Sequence, residues 1–236
     1  MNKLTTAIVA IFLATLALSL NSAKAEFRVG AMINAAGYYG NAQETLKDSG
    51  RKSDAEGIVA MSYGSVFAEY SMGDDYYGLT FGLEYTTEAM DLDKETRTDN
   101  NVKVNPPPGH VQGGNGDTGD QIVDAKFSDL YIAYVQLPVG DSGGYVKAGI
   151  SSVEVESQET LATGTGYGDE TLSGVMLGIG YQGDYDQFFY RLEAVMHDFD
   201  DFKLTGTEEG GTSGSYNTIE GEVGGVAGRL AVGYSF

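Results

Sequence analysis

The 236-residue sequence has no cysteine and no tryptophan, and it has only two histidines and four prolines. Without cysteine no disulfide framework can staple a small extracellular fold, so stability must come from strand pairing and burial. Basic residues are also scarce, 14 against 34 acids for a formal net charge of −20, which excludes charge-driven binding to nucleic acid. Beyond Thr6–Leu20 there is no long apolar run, so no later segment can cross a bilayer as a helix. What the chain does have is 34 glycines and 16 tyrosines, a composition that suits β structure.

The first 25 residues read as a secretory signal peptide. Lys3 precedes the apolar run, and Asn21-Ser-Ala-Lys-Ala25 offers small residues at Ala23 and Ala25 for cleavage before Glu26. The run is shorter than the roughly 20 residues that an uncleaved spanning helix needs. Residues 1–25 carry two lysines and no acid, so the mature chain has a net charge of −22. A hydrophobic fraction of 42% and a mean hydropathy of −0.19 are ordinary for a water-soluble protein. Membrane barrels have similar averages because only alternate residues face lipid, so periodicity has to decide.

Eight segments predict strands long enough to cross a bilayer at a tilt: 26–39, 58–71, 76–90, 127–137, 144–156, 171–182, 187–200 and 223–236. In the third, Tyr77, Leu79, Phe81, Leu83 and Tyr85 share one face while Gly78, Thr80, Gly82, Glu84 and Thr86 share the other. The sixth sets Val175, Leu177, Ile179 and Tyr181 against Gly174, Met176, Gly178 and Gly180. The seventh sets Phe188, Tyr190, Leu192, Ala194 and Met196 against Arg191, Glu193 and His197, and the eighth sets Val226, Leu230, Val232, Tyr234 and Phe236 against Arg229 and Ser235. The first follows the same phase, with Phe27, Val29, Ala31 and Ile33 opposite Arg28, Met32 and Asn34. In the fifth, Val146, Ala148 and Ile150 give way to Val153 and Val155, which predicts a bulge at Ser151-Ser152 or an exit from the membrane there. The second and fourth are apolar on both faces and leave their phase open.

Connections alternate between short and long. Turns at 72–75, 138–143 and 183–186 carry Gly, Asp and Pro punctuation, whereas the loops near 40–57, 91–126, 157–170 and 201–222 are long. Short periplasmic turns and long outer loops are the usual pattern of membrane barrels and put both ends of 26–236 on the periplasmic side. A secreted lipocalin-type barrel is the rival, and it would turn its apolar face inward. The expected fold is therefore all-β, an eight-stranded antiparallel up-and-down transmembrane barrel over 26–236. Lipid offers no partner to a free edge, so the eighth strand must pair with the first.

The signal peptide, the eight strands, the loop alternation and the ending Arg229-Leu-Ala-Val-Gly-Tyr-Ser-Phe236 together resemble the small bacterial outer-membrane barrels of the OmpA, OmpX and opacity-protein type. That resemblance implies insertion in the outer membrane of a Gram-negative bacterium, among its lipid and lipopolysaccharide. It also implies Leu230, Val232, Tyr234 and Phe236 as the signature read by the barrel-assembly machinery. Such proteins act as adhesins, envelope anchors or narrow channels, and a monomer is expected.

Carried inward by these phases, Arg28, Glu84, Lys147, Arg191, Glu193 and Arg229 predict a lumen charge cluster. Buried charges are costly unless paired, so Glu84 and Glu193 should neutralise neighbouring cations and plug the barrel or gate a narrow path. His197 is expected near the outer rim, where a lipid-modifying enzyme would need a serine and an acid beside it; no His-x-Ser pattern supports that chemistry. His110 has no evident ligand set, and Gly113-Gly-Asn-Gly-Asp-Thr-Gly-Asp120 is a single glycine-rich copy of a motif that works by stacking. Outer acids, among them Asp198, Asp200, Asp201, Glu208, Glu209, Glu220 and Glu222, form a solvated surface that divalent cations could bridge to lipopolysaccharide. Tyrosines and phenylalanines near strand ends, including Tyr38, Tyr39, Tyr76, Tyr77, Tyr134, Tyr145, Tyr181 and Phe188, fit two interfacial girdles, although adjacent pairs cannot share a face and the inward alternative stays open for some of them. No catalytic set, resident metal or cofactor is expected. The first reading is a non-enzymatic envelope or surface protein, followed by a narrow passive channel and then a lipid-modifying enzyme.

Overall fold

The computed structural model describes residues 26–45, 50, 52–73, 76–91, 95–99, 119–161, 167–206 and 218–236. The signal-peptide prediction, His110 and most of the glycine-rich motif at 113–120 lie outside them, as do Glu208 and Glu209. The described chain is an antiparallel sheet rolled into a barrel. Its strands are β1 (Glu26–Thr45), β2 (Lys52–Ser71), β3 (Thr80–Thr86), β4 (Met90–Asp91), β5 (Glu95–Asp99), β6 (Gly119–Pro138), β7 (Gly144–Leu161), β8 (Glu170–Tyr185), β9 (Phe188–Phe199), β10 (Phe202–Thr205) and β11 (Thr218–Ser235). β4 and β5 prolong the line of β3 along β6, and β10 continues β9 along β11, so the wall has eight staves. β1 pairs with β11 from Arg28↔Ser235 to Thr45↔Thr218, and Phe236 donates a last backbone hydrogen bond to the Phe27 carbonyl at 2.9 Å. Among the described residues this closure leaves no unpaired edge in the lower wall, as a spanning sheet requires.

Alternation of burial fixes the faces. β9 reads exposed and buried in strict turn, with Phe189, Arg191, Glu193, Val195, His197 and Phe199 inward. Outward stand Ile33, Val66, Val135, Val146, Ile150, Leu177, Ile179, Leu192, Leu230 and Val232, each well exposed. A closed barrel with an apolar exterior and charges inside is a transmembrane barrel and not a lipocalin. The lower end of this band carries a contiguous aromatic ring set: Phe27 on Phe236, Phe236 on Tyr234 and Tyr234 on Phe188, at centroid distances of 6.0, 4.9 and 5.3 Å. Several tyrosines expected in girdles are instead interior: Tyr38, Tyr134 and Tyr145 are buried because they occupy inward positions of their strands.

The two strands without a sequence phase acquire one from register. Glu69 lies opposite Arg28 and Phe67 opposite Gly30, so β2 turns Tyr63, Ser65, Phe67 and Glu69 inward. β6 changes phase within its length: Ser128 pairs with Glu154 and Tyr131 with Ser152, leaving Asp129 and Leu130 opposite the single residue Val153. Asp129 adopts φ 49°, a left-handed conformation that Asp tolerates. This bulge swings the inward set from Phe127 to Leu130, Ile132, Tyr134 and Gln136, which is why the segment looked apolar on both sides. The bulge predicted at Ser151-Ser152 is therefore on the neighbouring strand; β7 pairs continuously with β8 and keeps odd residues inward from Tyr145 to Val153.

Val153 and Val155 thus reflect a change of surroundings. Above the band the inner positions become apolar, with Phe127, Leu130, Val153, Leu172 and Phe199 packed together, while Asp198 and Asp200 point out into water. β1, β2 and β6 are 20 residues long, about twice what a tilted strand needs to cross the bilayer. Pairing accordingly continues into much of the segments expected as loops at 40–57, 91–126, 157–170 and 201–222. At the opposite end the third strand starts later than expected, at Thr80. Tyr77 and Gly78 take φ of 56° and 66° in a turn closed by Met72 N–H to Leu79 O and Gly78 N–H to Gly73 O, both 2.9 Å.

Candidate functional site: a charge network across the lumen

Short inward residues make room for long ones. A Cβ at Gly82 would lie 2.2 Å from Tyr134 Cζ, and one at Gly180 would lie 2.3 Å from Tyr145 Cζ. Each glycine is the register partner of the tyrosine that covers it, so a side chain there would push the ring away. Laid flat over these glycines, the two phenols reach carboxylates on non-adjacent strands: Tyr134 Oη donates to Glu69 Oε1 at 2.5 Å and Tyr145 Oη to Glu193 Oε1 at 2.6 Å.

The ion pairs run as chords through the lumen. Arg191 on β9 meets Glu69 on β2 with Nη1 to Oε1 and Nη2 to Oε2 both at 2.6 Å, and its Nε donates to Gln182 Oε1 at 2.8 Å. Lys147 Nζ on β7 contacts Glu193 Oε1 at 3.2 Å and Oε2 at 3.3 Å, and it lies 3.7 Å from the Tyr134 ring centroid. Arg229 on β11 donates through Nη1 to Glu84 Oε2 at 3.1 Å, lies 3.7 Å from Glu193 Oε2, and meets His197 Nε2 through Nη2 at 3.1 Å. Ser65 Oγ donates to Glu84 Oε1 at 3.2 Å, and Asn34 Nδ2 donates to Ser65 Oγ at 3.0 Å and to the Tyr63 carbonyl at 3.1 Å. Every charged member is at most 3% exposed. Arg191, Arg229 and Lys147 balance Glu69, Glu84 and Glu193, so the layer is neutral as a whole, the condition for tolerable buried charge.

Of the six residues expected in the cluster, Glu84, Lys147, Arg191, Glu193 and Arg229 are brought together. Arg28 faces inward but stands lower, paired with the half-exposed Glu26 at 2.7 Å and 5.9 Å from the Phe189 ring centroid. Glu69 was missed because its segment is apolar on both faces. A carboxylate within Val66-Phe-Ala-Glu-Tyr70 can be accommodated only on the lumen side, which is the signal that would have found it. His197 belongs to this network and not to an outer rim: it is 2% exposed and stacks on Phe199 with centroids 6.0 Å apart.

Aromatic and apolar layers bound the charges on both sides. Below, Phe67 and Phe189 approach at 6.1 Å, with the Arg191 guanidinium 5.3 and 4.7 Å from their centroids. Above, Tyr38 and Tyr63 share a hydroxyl contact of 3.3 Å, and Tyr38 packs edge-on against Phe127. Within the layer, Asn34 Oδ1, Thr86 Oγ1, Ser151 Oγ, His197 Nδ1 and Arg229 Nε are buried without a protein hydrogen-bond partner. Among the described residues no group of three or more His, Cys, Asp and Glu side chains is arranged to hold a metal ion.

No protein-family model matches the sequence. No curated protein matches it either. Among solved structures, the chain is similar to the outer membrane protein OprG from Pseudomonas aeruginosa, at 13% identity and a TM-score of 0.44 over 88% of this chain and 96% of that one. It is similar to the outer membrane protease OmpT from Escherichia coli, at 8% and 0.43 over 89% and 97%. Neisserial surface protein A aligns at 12% and 0.35 over 86% and 97%. A surface protein and a protease thus share this likeness, which carries no argument about activity.

Proposed function

We propose that the chain is a non-enzymatic integral protein of the outer membrane of a Gram-negative bacterium, a small barrel of the OmpA, OmpX and opacity-protein type, with a structural or surface-interaction role. The observation that carries this reading is the layered lumen. Phe67 and Phe189, then the Glu69–Arg191 and Glu84–Arg229 chords, then the Phe127 and Leu130 cluster occupy the axis in succession. An eight-stranded barrel is about filled by its own side chains, and these leave little width for a solute. Towards the outside the barrel offers exposed acids, Asp54, Glu56, Asp198, Glu220 and Glu222 on strands and Asp200 between β9 and β10. That acidic wall is the surface a cationic or cation-bridged partner such as lipopolysaccharide would meet.

The assembly signature Leu230, Val232, Tyr234 and Phe236 fits recognition by the barrel-assembly machinery, and the self-contained closure by β1 and β11 fits a monomer. A narrow passive channel is the second reading. It is favoured by the unpartnered lumen atoms of Asn34, Thr86, Ser151, His197 and Arg229, which offer polar contacts to water along the axis. Planar-bilayer recording on the refolded protein separates the two. The closed-barrel reading expects no conductance steps from the native chain and intermittent steps from Glu69→Ala with Arg191→Ala. Steady steps from the native chain overturn it.

A further inference from the structure

Outside the lumen, the membrane-facing wall has a groove of about 390 Å³ near the lower rim. Val29, Tyr185, Phe188, Tyr190, Val232 and Tyr234 line it, and its floor is the backbone around Gly233. It arises from strand order. Tyr190 pairs with Gly183 on one side and Val232 on the other, and its ring leans over the glycine, where a Cβ would lie 2.3 Å from Tyr190 Cζ. The space over Val232 and Val29 is left open. Tyr185, Phe188 and Tyr234 wall the end nearest the rim, where Tyr234 Oη donates to Gln187 Oε1 at 2.6 Å and holds its ring upright.

We propose that this groove seats one acyl chain of a phospholipid in the periplasmic leaflet. Its position identifies the occupant: the groove is continuous with the apolar band that faces hydrocarbon and opens at the aromatic ring set marking the lower interface. None of its lining residues carries a charge at neutral pH, so it fits the chain and not the headgroup. Its volume lies in the range of small-molecule pockets, larger than the gaps between single side chains on a smooth wall. The phenol of Tyr185 at its mouth is placed to donate to ester oxygens at the depth where tyrosine is enriched. A seated chain would hold β8, β9, β11 and β1 together from outside, across the seam where the barrel closes.

The test uses the full mature chain refolded in vesicles of phosphatidylethanolamine containing a small fraction of the same lipid with a diazirine on its acyl chain. After photolysis, labelled residues are mapped by peptide mass spectrometry. The expected result is labelling of Tyr190 and Val232 at least several-fold above that of the comparably exposed Leu177 and Ile179, with loss of the excess at Tyr190 in Val232→Phe, an outward change that fills the groove without entering the lumen. Uniform labelling around the band overturns the proposal, as does an excess that persists in Val232→Phe. A diazirine-bearing residue placed at 232 in a parallel preparation should crosslink to lipid; crosslinks joining two copies there also overturn the proposal, since they would assign the groove to a contact between barrels.

Discussion

Arg191 and Glu69 lie three staves apart in the barrel wall and meet inside it through two parallel hydrogen bonds of 2.6 Å, guanidinium fork to carboxylate fork. Such a pair is a poor source of net stability but a serious liability when half is removed. Glu69→Ala strands a guanidinium that is 1% exposed and should destabilise the barrel by about 3–5 kcal/mol. Glu69→Leu combined with Arg191→Met should recover most of that loss. Urea unfolding in vesicles measures both; a double variant as weak as Glu69→Ala would contradict this account.

Arg229 serves two carboxylates, Glu84 at 3.1 Å and Glu193 at 3.7 Å, whereas Lys147 serves Glu193 alone. Removing Arg229 leaves Glu84 without its cation, and removing Lys147 leaves Glu193 with Arg229 and the Tyr145 phenol. Arg229→Met should therefore cost more than Lys147→Met, by roughly the 3–5 kcal/mol of a broken buried pair against a fraction of it. Equal losses in the same unfolding experiment would show that the two cations act independently.

Gly82→Ala places a Cβ against the Tyr134 ring and should pull the phenol off Glu69, at a cost of about 1–3 kcal/mol from overpacking. Gly37→Ala is the control, because a Cβ there meets nothing within 4 Å. Its effect should stay within about 0.5 kcal/mol, the range of ordinary surface changes. A comparable loss at both glycines would locate the effect in backbone propensity and not in the tyrosine.

Well above the band, Lys203 Nζ donates to Glu220 and, with its charge, holds that exposed carboxyl below the usual range. A lowered folded value means that the pair contributes above the ordinary glutamate pKa and is lost as pH falls through the lowered one. Both partners are largely exposed, so the contribution to stability is small. Side-chain carboxyl NMR should show Glu220 titrating below a free glutamate in the native chain and closer to one in Lys203→Met, where only the weaker pull of Lys52 remains.

What could be read from the sequence was whatever kept one phase in one solvent. β9 alternates Phe188, Tyr190 and Leu192 against Arg191 and Glu193 throughout, and its faces are those expected. β6 could not be read because Asp129 and Leu130 insert a bulge that no local residue pattern announces. The network was half legible: inward arginines and glutamates imply pairing, but which meets which depends on stagger around the wall. Tyrosine near strand ends suits interfacial girdles, but Tyr134 and Tyr145 stand at inward positions of β6 and β7, and the glycines on adjoining strands leave room for their rings.

The reversal of pattern at Ile150 and Val153 divides each long stave into two unlike materials. Below it, stability depends on a solvent that is itself apolar; above it, the same polypeptide buries hydrocarbon away from water in the usual way. The halves should therefore answer to different perturbants. Changing bilayer thickness or detergent chain length acts on the lower half, while cooling, which weakens hydrophobic burial in water, acts on the upper one. Amide hydrogen exchange should then report two opening free energies along the described strands, with the section above Val153 opening while the spanning ring stays closed.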